Sequence, residues 1–182
     1  MVRIAIIGGG IGGLTTAIAL RQFGFEPEVY EQAPLLLDVG AAIALWPNAT
    51  RVMAHLGLAD HLLPLSGEMD QVSWLGKTGR LINRVKLQDT SRLDSPAIAL
   101  HRADLQSTLL RVLPQDSIHL AHSLINVEQT NNEVIAHFAN GHTVAAELLI
   151  GADGIHSHVR SHLLTDEEPI YRVYTVCRGG SP

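Results

Sequence analysis

Hydrophobic and polar positions divide the chain into segments of two periods. Residues 2–7, Val-Arg-Ile-Ala-Ile-Ile, form the nearly continuous apolar run of a strand buried on both faces. Residues 11–23 follow at helical spacing, with Ala17, Ile18 and Leu20 as the clearest apolar positions and Gly24 as the stop. Pro-Glu-Val-Tyr-Glu, residues 27–31, predicts a second short strand. A helix is expected from Pro47 or Asn48 through Leu56, ended by Gly57, and a shorter one over 59–63. Alternating runs on either side of Lys77-Thr78-Gly79 predict a hairpin over 70–87. A strand at 96–101 leads into a helix over 102–113, which Pro114 stops. Residues 117–146 hold three or four short β segments with turns at Asn131-Asn132 and Asn140-Gly141, the pattern of a β-meander. Leu148 to Ile150 is one more buried strand, and residues 171–176 begin another. Strands and helices in this order predict an α/β fold around a parallel sheet.

Composition narrows the classes. The 182 residues, 46% of them hydrophobic, suffice for one substantial core and the beginning of a second domain. The net charge is −5 and the 13 Lys and Arg are scattered, which argues against a nucleic-acid or anionic-membrane partner. A single cysteine, Cys177, permits no internal disulfide, and without a recognisable signal peptide a cytoplasmic location is expected. Ile4 to Leu20 carries no charge, but the glycines clustered between 8 and 13 would break a membrane-spanning helix.

The strongest chemical signal is Gly8-x-Gly10-x-x-Gly13, placed after a strand and at the opening of a helix. Gly8 permits a tight turn, Gly10 lets backbone approach a pyrophosphate, and Gly13 lets the helix pack closely on the sheet. The N–H groups around Ile11 and Gly12 then face the anion. Glu31 ends the next strand, where a carboxylate can accept both ribose hydroxyls of an adenosine and would repel a 2′-phosphate. FAD or NAD therefore fits better than NADP. The fingerprint alone does not separate FAD from NAD. A fragment of an NAD-dependent dehydrogenase and a non-catalytic dinucleotide-binding or interaction module stay open at this point.

Four segments together resemble the class A flavoprotein monooxygenases, the family of para-hydroxybenzoate hydroxylase and salicylate hydroxylase. They are IAIIGGGIGGLTTAIALRQFGFEPEVYEQ, GAAIALWPNATRVMAHLGL, HRADLQSTLL and LLIGADGIHSHVR. The resemblance implies a Rossmann-like FAD-binding domain over 1–168, with the 70–87 hairpin belonging to the substrate-domain sheet. Residues 169–182 would start a mixed-sheet substrate domain. It implies FAD as cofactor and NADH or NADPH as reductant, hydroxylation of a small aromatic substrate with O2, and specific site residues. Gly10 to Gly13 would cradle the pyrophosphate, Glu31 would bind the adenosine ribose, and Gln32 would lie beside it. Arg102 would reach the pyrophosphate or ribityl region. Leu124 would place backbone near the adenine, and Asp153 belongs to the family's DG motif, implicated in FAD and nicotinamide cofactor binding. Some relatives carry a histidine base in the segment matching GAAIALWPN; Ala44 stands there, so no catalytic residue is assigned.

Family members are about twice as long. The resemblance thus implies the N-terminal half of a hydroxylase (a fragment, half of a split protein, or a truncated chain), inactive alone and open to a complementing C-terminal half or to self-association. His156, His158 and His162 cluster, but without HExxH or a neighbouring cysteine they read as a solvated helix face, not a metal site. Trp46 and Trp74 read as packing residues and Cys177 as a structural thiol.

Overall fold

A computed structural model of the chain describes residues 2–36, 40–87, 95–165 and 167–173. In chain order the strands are β1 (Ile4–Ile7), β2 (Pro27–Tyr30), β3 (Ala42–Leu45), β4 (Ser66–Glu68), β5 (Gln71–Leu75) and β6 (Leu81–Lys86). They continue with β7 (Ile98–His101), β8 (Ile118–His119), β9 (Leu124–Gln129), β10 (Val134–Phe138), β11 (Thr143–Ala146) and β12 (Leu148–Gly151). The helices are α1 (Ile11–Gln22), α2 (Pro47–His55), α3 (Ala59–Leu62), α4 (Arg102–Arg111) and α5 (His158–Leu163). The described residues divide into two compact units, one of residues 2–36 with 109–165 and 167–173, the other of 40–87 with 95–108.

The first unit is built on a parallel sheet ordered β12-β1-β2-β8. Every residue of β1 is buried, as a central strand with both faces covered requires. α1 packs on β1 and β2 and buries Gly13, Leu14, Ala17 and Ile18. Ala5, Ile7 and Tyr30 instead join Leu124, Ala136, Phe138, Ala146 and Val159 in one apolar cluster, so the antiparallel sheet β11-β10-β9 and α5 share their core. The meander expected over 117–146 is thus three strands. Its first segment, β8, leaves it and pairs parallel to β2 through Val29↔Ile118 and Tyr30↔His119. Two residues carry too little periodicity to declare a partner; the free edge of β2 decides it.

The second unit holds an antiparallel sheet ordered β3-β7-β4 and the hairpin β5-β6. The hairpin appears where alternation places it, and every residue of β6 is exposed. β3 and β4 escaped the sequence pattern because Ala-Ile-Ala-Leu and Ser-Gly-Glu have weak strand propensity; pairing to β7 makes them strands. Of the strand expected over 171–176, Tyr171–Val173 are irregular and the remainder lies outside the described residues, as do Asp166 and Cys177. Among the described residues no helix is long and apolar enough to cross a membrane.

Tyr30 links packing to pH. It is 2% exposed. Burial, then the hydrogen bond its hydroxyl donates to Glu28 Oε2, pushes the phenol well above its ordinary value of 10.0. The folded chain keeps a proton that the unfolded chain releases near pH ~10, so this stabilisation is complete below that pH and is lost as pH rises beyond it. Melting temperature should therefore fall above about pH 10, and Tyr30→Phe should flatten the fall. An equally steep alkaline loss in the phenylalanine variant would assign it to other groups.

Candidate functional site

β1, β2 and β12 end in register, with Ile7 opposite both Tyr30 and Gly151. Their carboxyl ends form the sheet edge at which α/β folds bind ligands. The turns beyond are stitched together by backbone. Gly8 N–H donates to Tyr30 O at 2.8 Å, Ala152 N–H to Ile7 O at 2.7 Å, and Glu31 N–H to His119 O at 2.9 Å. A Cβ on Gly8 would overlap the Ala152 carbonyl, and one on Gly13 would overlap the Gly8 carbonyl. These two glycines are spent on packing the turn. A Cβ on Gly10 or Gly12 would meet nothing within 4 Å. That open space lies where a ligand can approach the start of α1, whose N-cap, Gly10, supplies no side-chain cap.

Glu31 is locked across this turn. Its Oε2 accepts the Gly9 N–H at 2.6 Å and its Oε1 accepts the Ala33 N–H at 2.9 Å. A carboxylate has about four acceptor positions, so these two bonds orient it and leave capacity for further hydroxyl donors.

Asp153 turns out to organise its own loop. Oδ1 accepts the Ser157 hydroxyl at 2.5 Å and Oδ2 accepts the Val159 N–H at 3.1 Å. Ser157 Oγ in turn accepts the Arg160 N–H at 2.9 Å as the N-cap of α5, and Arg160 Nη1 donates to Ile155 O at 3.0 Å. The segment 153–160 is thereby closed on itself.

These groups surround a cavity of about 350 Å³. Of the residues singled out from sequence, Gly8, Gly10, Glu31, Gln32, Leu124 and Asp153 line it. Ile11, Gly12 and Gly13 form the first turn of α1 directly beyond Gly10. Arg102 stands in the second unit. Its N–H donates to Ala41 O at 3.3 Å, its Nη1 to Gln106 Oε1 at 3.2 Å, and its stem lies against Gly40. Tyr30, His122, Ala152, Gly154, Ile155, His156 and His158 also line the cavity and were not in the sequence-derived set. Adjacency could have found most of them, since they neighbour Glu31, Leu124 or Asp153 in the chain. Among the described residues no group of three His, Cys, Asp or Glu could hold a metal ion. His162 Nδ1 sits 3.2 Å from His158 O, and its Nε2 2.8 Å from Asn126 Oδ1.

A parallel sheet with a glycine turn into α1, an acid ending β2 and a cavity at the strand ends defines a dinucleotide-binding α/β domain. More particularly, residues 1–176 match the FAD binding domain family, and the chain belongs to it. It is 39% identical to 3-amino-4-hydroxybenzoate 2-monooxygenase of Streptomyces cremeus, over 100% of this chain and 46% of that protein. It is 35% identical to 6-hydroxynicotinate 3-monooxygenase of Pseudomonas fluorescens, over 99% of this chain and 48% of that one. The crystal structure of Klebsiella pneumoniae HpxO complexed with FAD and uric acid superposes with a TM-score of 0.79 at 32% identity, covering 88% of this chain and 41% of the other. The chain spans about half the length of the curated relatives it matches.

Proposed function

We propose that this chain is the FAD-holding portion of a flavoprotein monooxygenase that hydroxylates a small aromatic or heteroaromatic substrate, with NADH or NADPH as reductant. The carrying observation is the convergence of Gly8, Gly10, Glu31 and Asp153 on one cavity at the carboxyl edge of the parallel sheet. The residues fit the cofactor. Open space at Gly10 and Gly12 suits a pyrophosphate beside the exposed start of α1. The remaining acceptor capacity of Glu31 suits two ribose hydroxyls, and its charge disfavours a 2′-phosphate. Leu124 begins β9 beside the same cavity, a place for backbone contact with the base. Asp153 acts through the loop it closes. Arg102 is assigned the pyrophosphate or ribityl end, where a guanidinium's fork of donors is suited to anionic oxygen.

The chemistry FAD supplies when bound is hydride acceptance from the nicotinamide and activation of O2; the protein binds, orients and shields it. Residues 1–168 are read as the FAD-binding domain, with the 70–87 hairpin and residues from 169 onward belonging to a substrate-domain sheet. The relatives that this chain resembles act, by name, on hydroxybenzoate and hydroxynicotinate, which supports a planar, electron-rich substrate. The FAD-holding reading leaves turnover to a completing partner, a C-terminal half or a second copy.

The test is titration of the purified chain with FAD, followed by NADH and NADPH oxidation. Saturable binding with an oxidised-flavin spectrum is expected, without substrate-stimulated turnover. Glu31→Ala should raise the FAD dissociation constant roughly 30-fold, the loss expected for hydrogen bonds to a charged group. Saturable NAD binding with no flavin binding would replace this reading by a dehydrogenase.

A further inference from the structure

His122 lines the cavity beside Glu31 and Leu124, and neither the glycine fingerprint nor the DG motif accounts for it. The backbone presenting it is strained. Ala121 has φ +57, a left-handed conformation uncommon for a non-glycine residue. Three hydrogen bonds hold it there: Ala121 N–H to Ala33 O at 3.0 Å, Asn140 Nδ2 to Ala121 O at 3.0 Å, and His122 N–H to Glu31 O at 2.8 Å. The last ties the loop to the residue placed on the adenosine ribose.

The imidazole is fixed as firmly. Its Nδ1 lies 2.7 Å from Leu120 O, and since a carbonyl only accepts, Nδ1 carries the proton. Its Nε2 lies 3.1 Å from His142 Nδ1, and accepts from it when both rings are neutral. Asn140 Oδ1 accepts the His142 N–H at 2.9 Å, so the Asn140–His142 turn braces both the loop and the ring. Tyr30 and Phe138 meet the ring edge-on, at centroid distances of 5.5 and 5.1 Å. With both nitrogens engaged, the ring has a flat aromatic surface, not a hydrogen-bonding group, to contribute to the cavity.

We propose that His122 packs against the purine of the bound dinucleotide, with His142 as the positioning residue that holds its ring. This rests on the FAD-binding reading above. Base–aromatic packing tolerates any ring of suitable size, and that property separates it from a structural role.

The experiment measures FAD and ADP affinity by calorimetry, with melting temperature on the same samples, for wild type, His122→Ala, His122→Phe and His142→Ala. ADP carries the adenosine half of FAD alone. H122A should weaken both ligands by about the same factor, roughly tenfold. H122F loses both imidazole hydrogen bonds but keeps a ring, and should bind ADP within about threefold of wild type. H142A should lose ADP affinity by less than H122A. Wild-type ADP affinity in a folded H122A chain overturns the proposal. So does an H122F chain as weak as H122A, or, where alanine prevents folding, an H122F chain weakened tenfold or more against wild type. A wild-type chain that binds ADP but no FAD overturns the flavin reading and leaves the purine contact standing. One that binds neither overturns both.

Discussion

Gly8→Ala should cost the chain about 3–5 kcal/mol, against about 1 kcal/mol for Gly24→Ala. Both glycines have positive φ, +110 at Gly8 and +81 at Gly24. They differ in room. A Cβ at Gly24 meets nothing within 4 Å, so only the backbone preference is lost. A Cβ at Gly8 overlaps the Ala152 carbonyl and comes within 2.9 Å of Asp153 N. Those atoms are backbone, pinned by the Ala152 N–H to Ile7 O bond, and cannot swing aside as a side chain would. The φ of Gly8 also lies beyond the left-handed region that alanine tolerates. A whole domain is stable by only about 5–15 kcal/mol, so Gly8→Ala threatens the fold itself. Thermal melts of the two variants check this. Equal, small shifts would show that the β12 turn gives way at little cost.

Asp153→Ala should lower both stability and flavin affinity, and the order of cause is testable. The carboxylate accepts from the Ser157 hydroxyl and from the Val159 N–H. Removing it strands two half-buried donors and releases the start of α5, a loss of about 2–3 kcal/mol. For a chain of this size that corresponds to a melting temperature lower by roughly 5–10 °C. The loop it closes lines the cavity, so FAD affinity should fall with it. Excess FAD should restore part of the melting temperature by mass action. Asp153→Asn keeps one acceptor oxygen and should fall between alanine and wild type on both measures. An Asp153→Ala chain with wild-type stability but no FAD binding would move the carboxylate from loop closure to direct ligand contact.

The Gly8, Gly10 and Gly13 series, the acid at Glu31 and the helices at 11–22, 47–55 and 102–111 were legible because each depends on local conditions: a run, a period, a stop. The turn at Asn140-Gly141 was legible for the same reason, but not that Asn140 braces the loop beneath His122. β8 was misassigned to the meander because two residues cannot announce their partner.

Sequence by itself therefore determined the class of fold, the place of the dinucleotide turn and the identity of the acid that faces it. These follow from backbone freedom and side-chain period, which act over a few residues. Tertiary structure alone decided that Glu31 meets the Gly9 N–H, 22 positions earlier, and which histidines stand at the cavity. Asp153, the acid of the DG motif, clasps its own loop at the wall of the cavity. His122 carried no motif and was brought to Glu31 from 91 positions away by the β2–β8 pairing. Cavity walls and long-range hydrogen bonds are set by contacts between distant segments, and no local pattern records them.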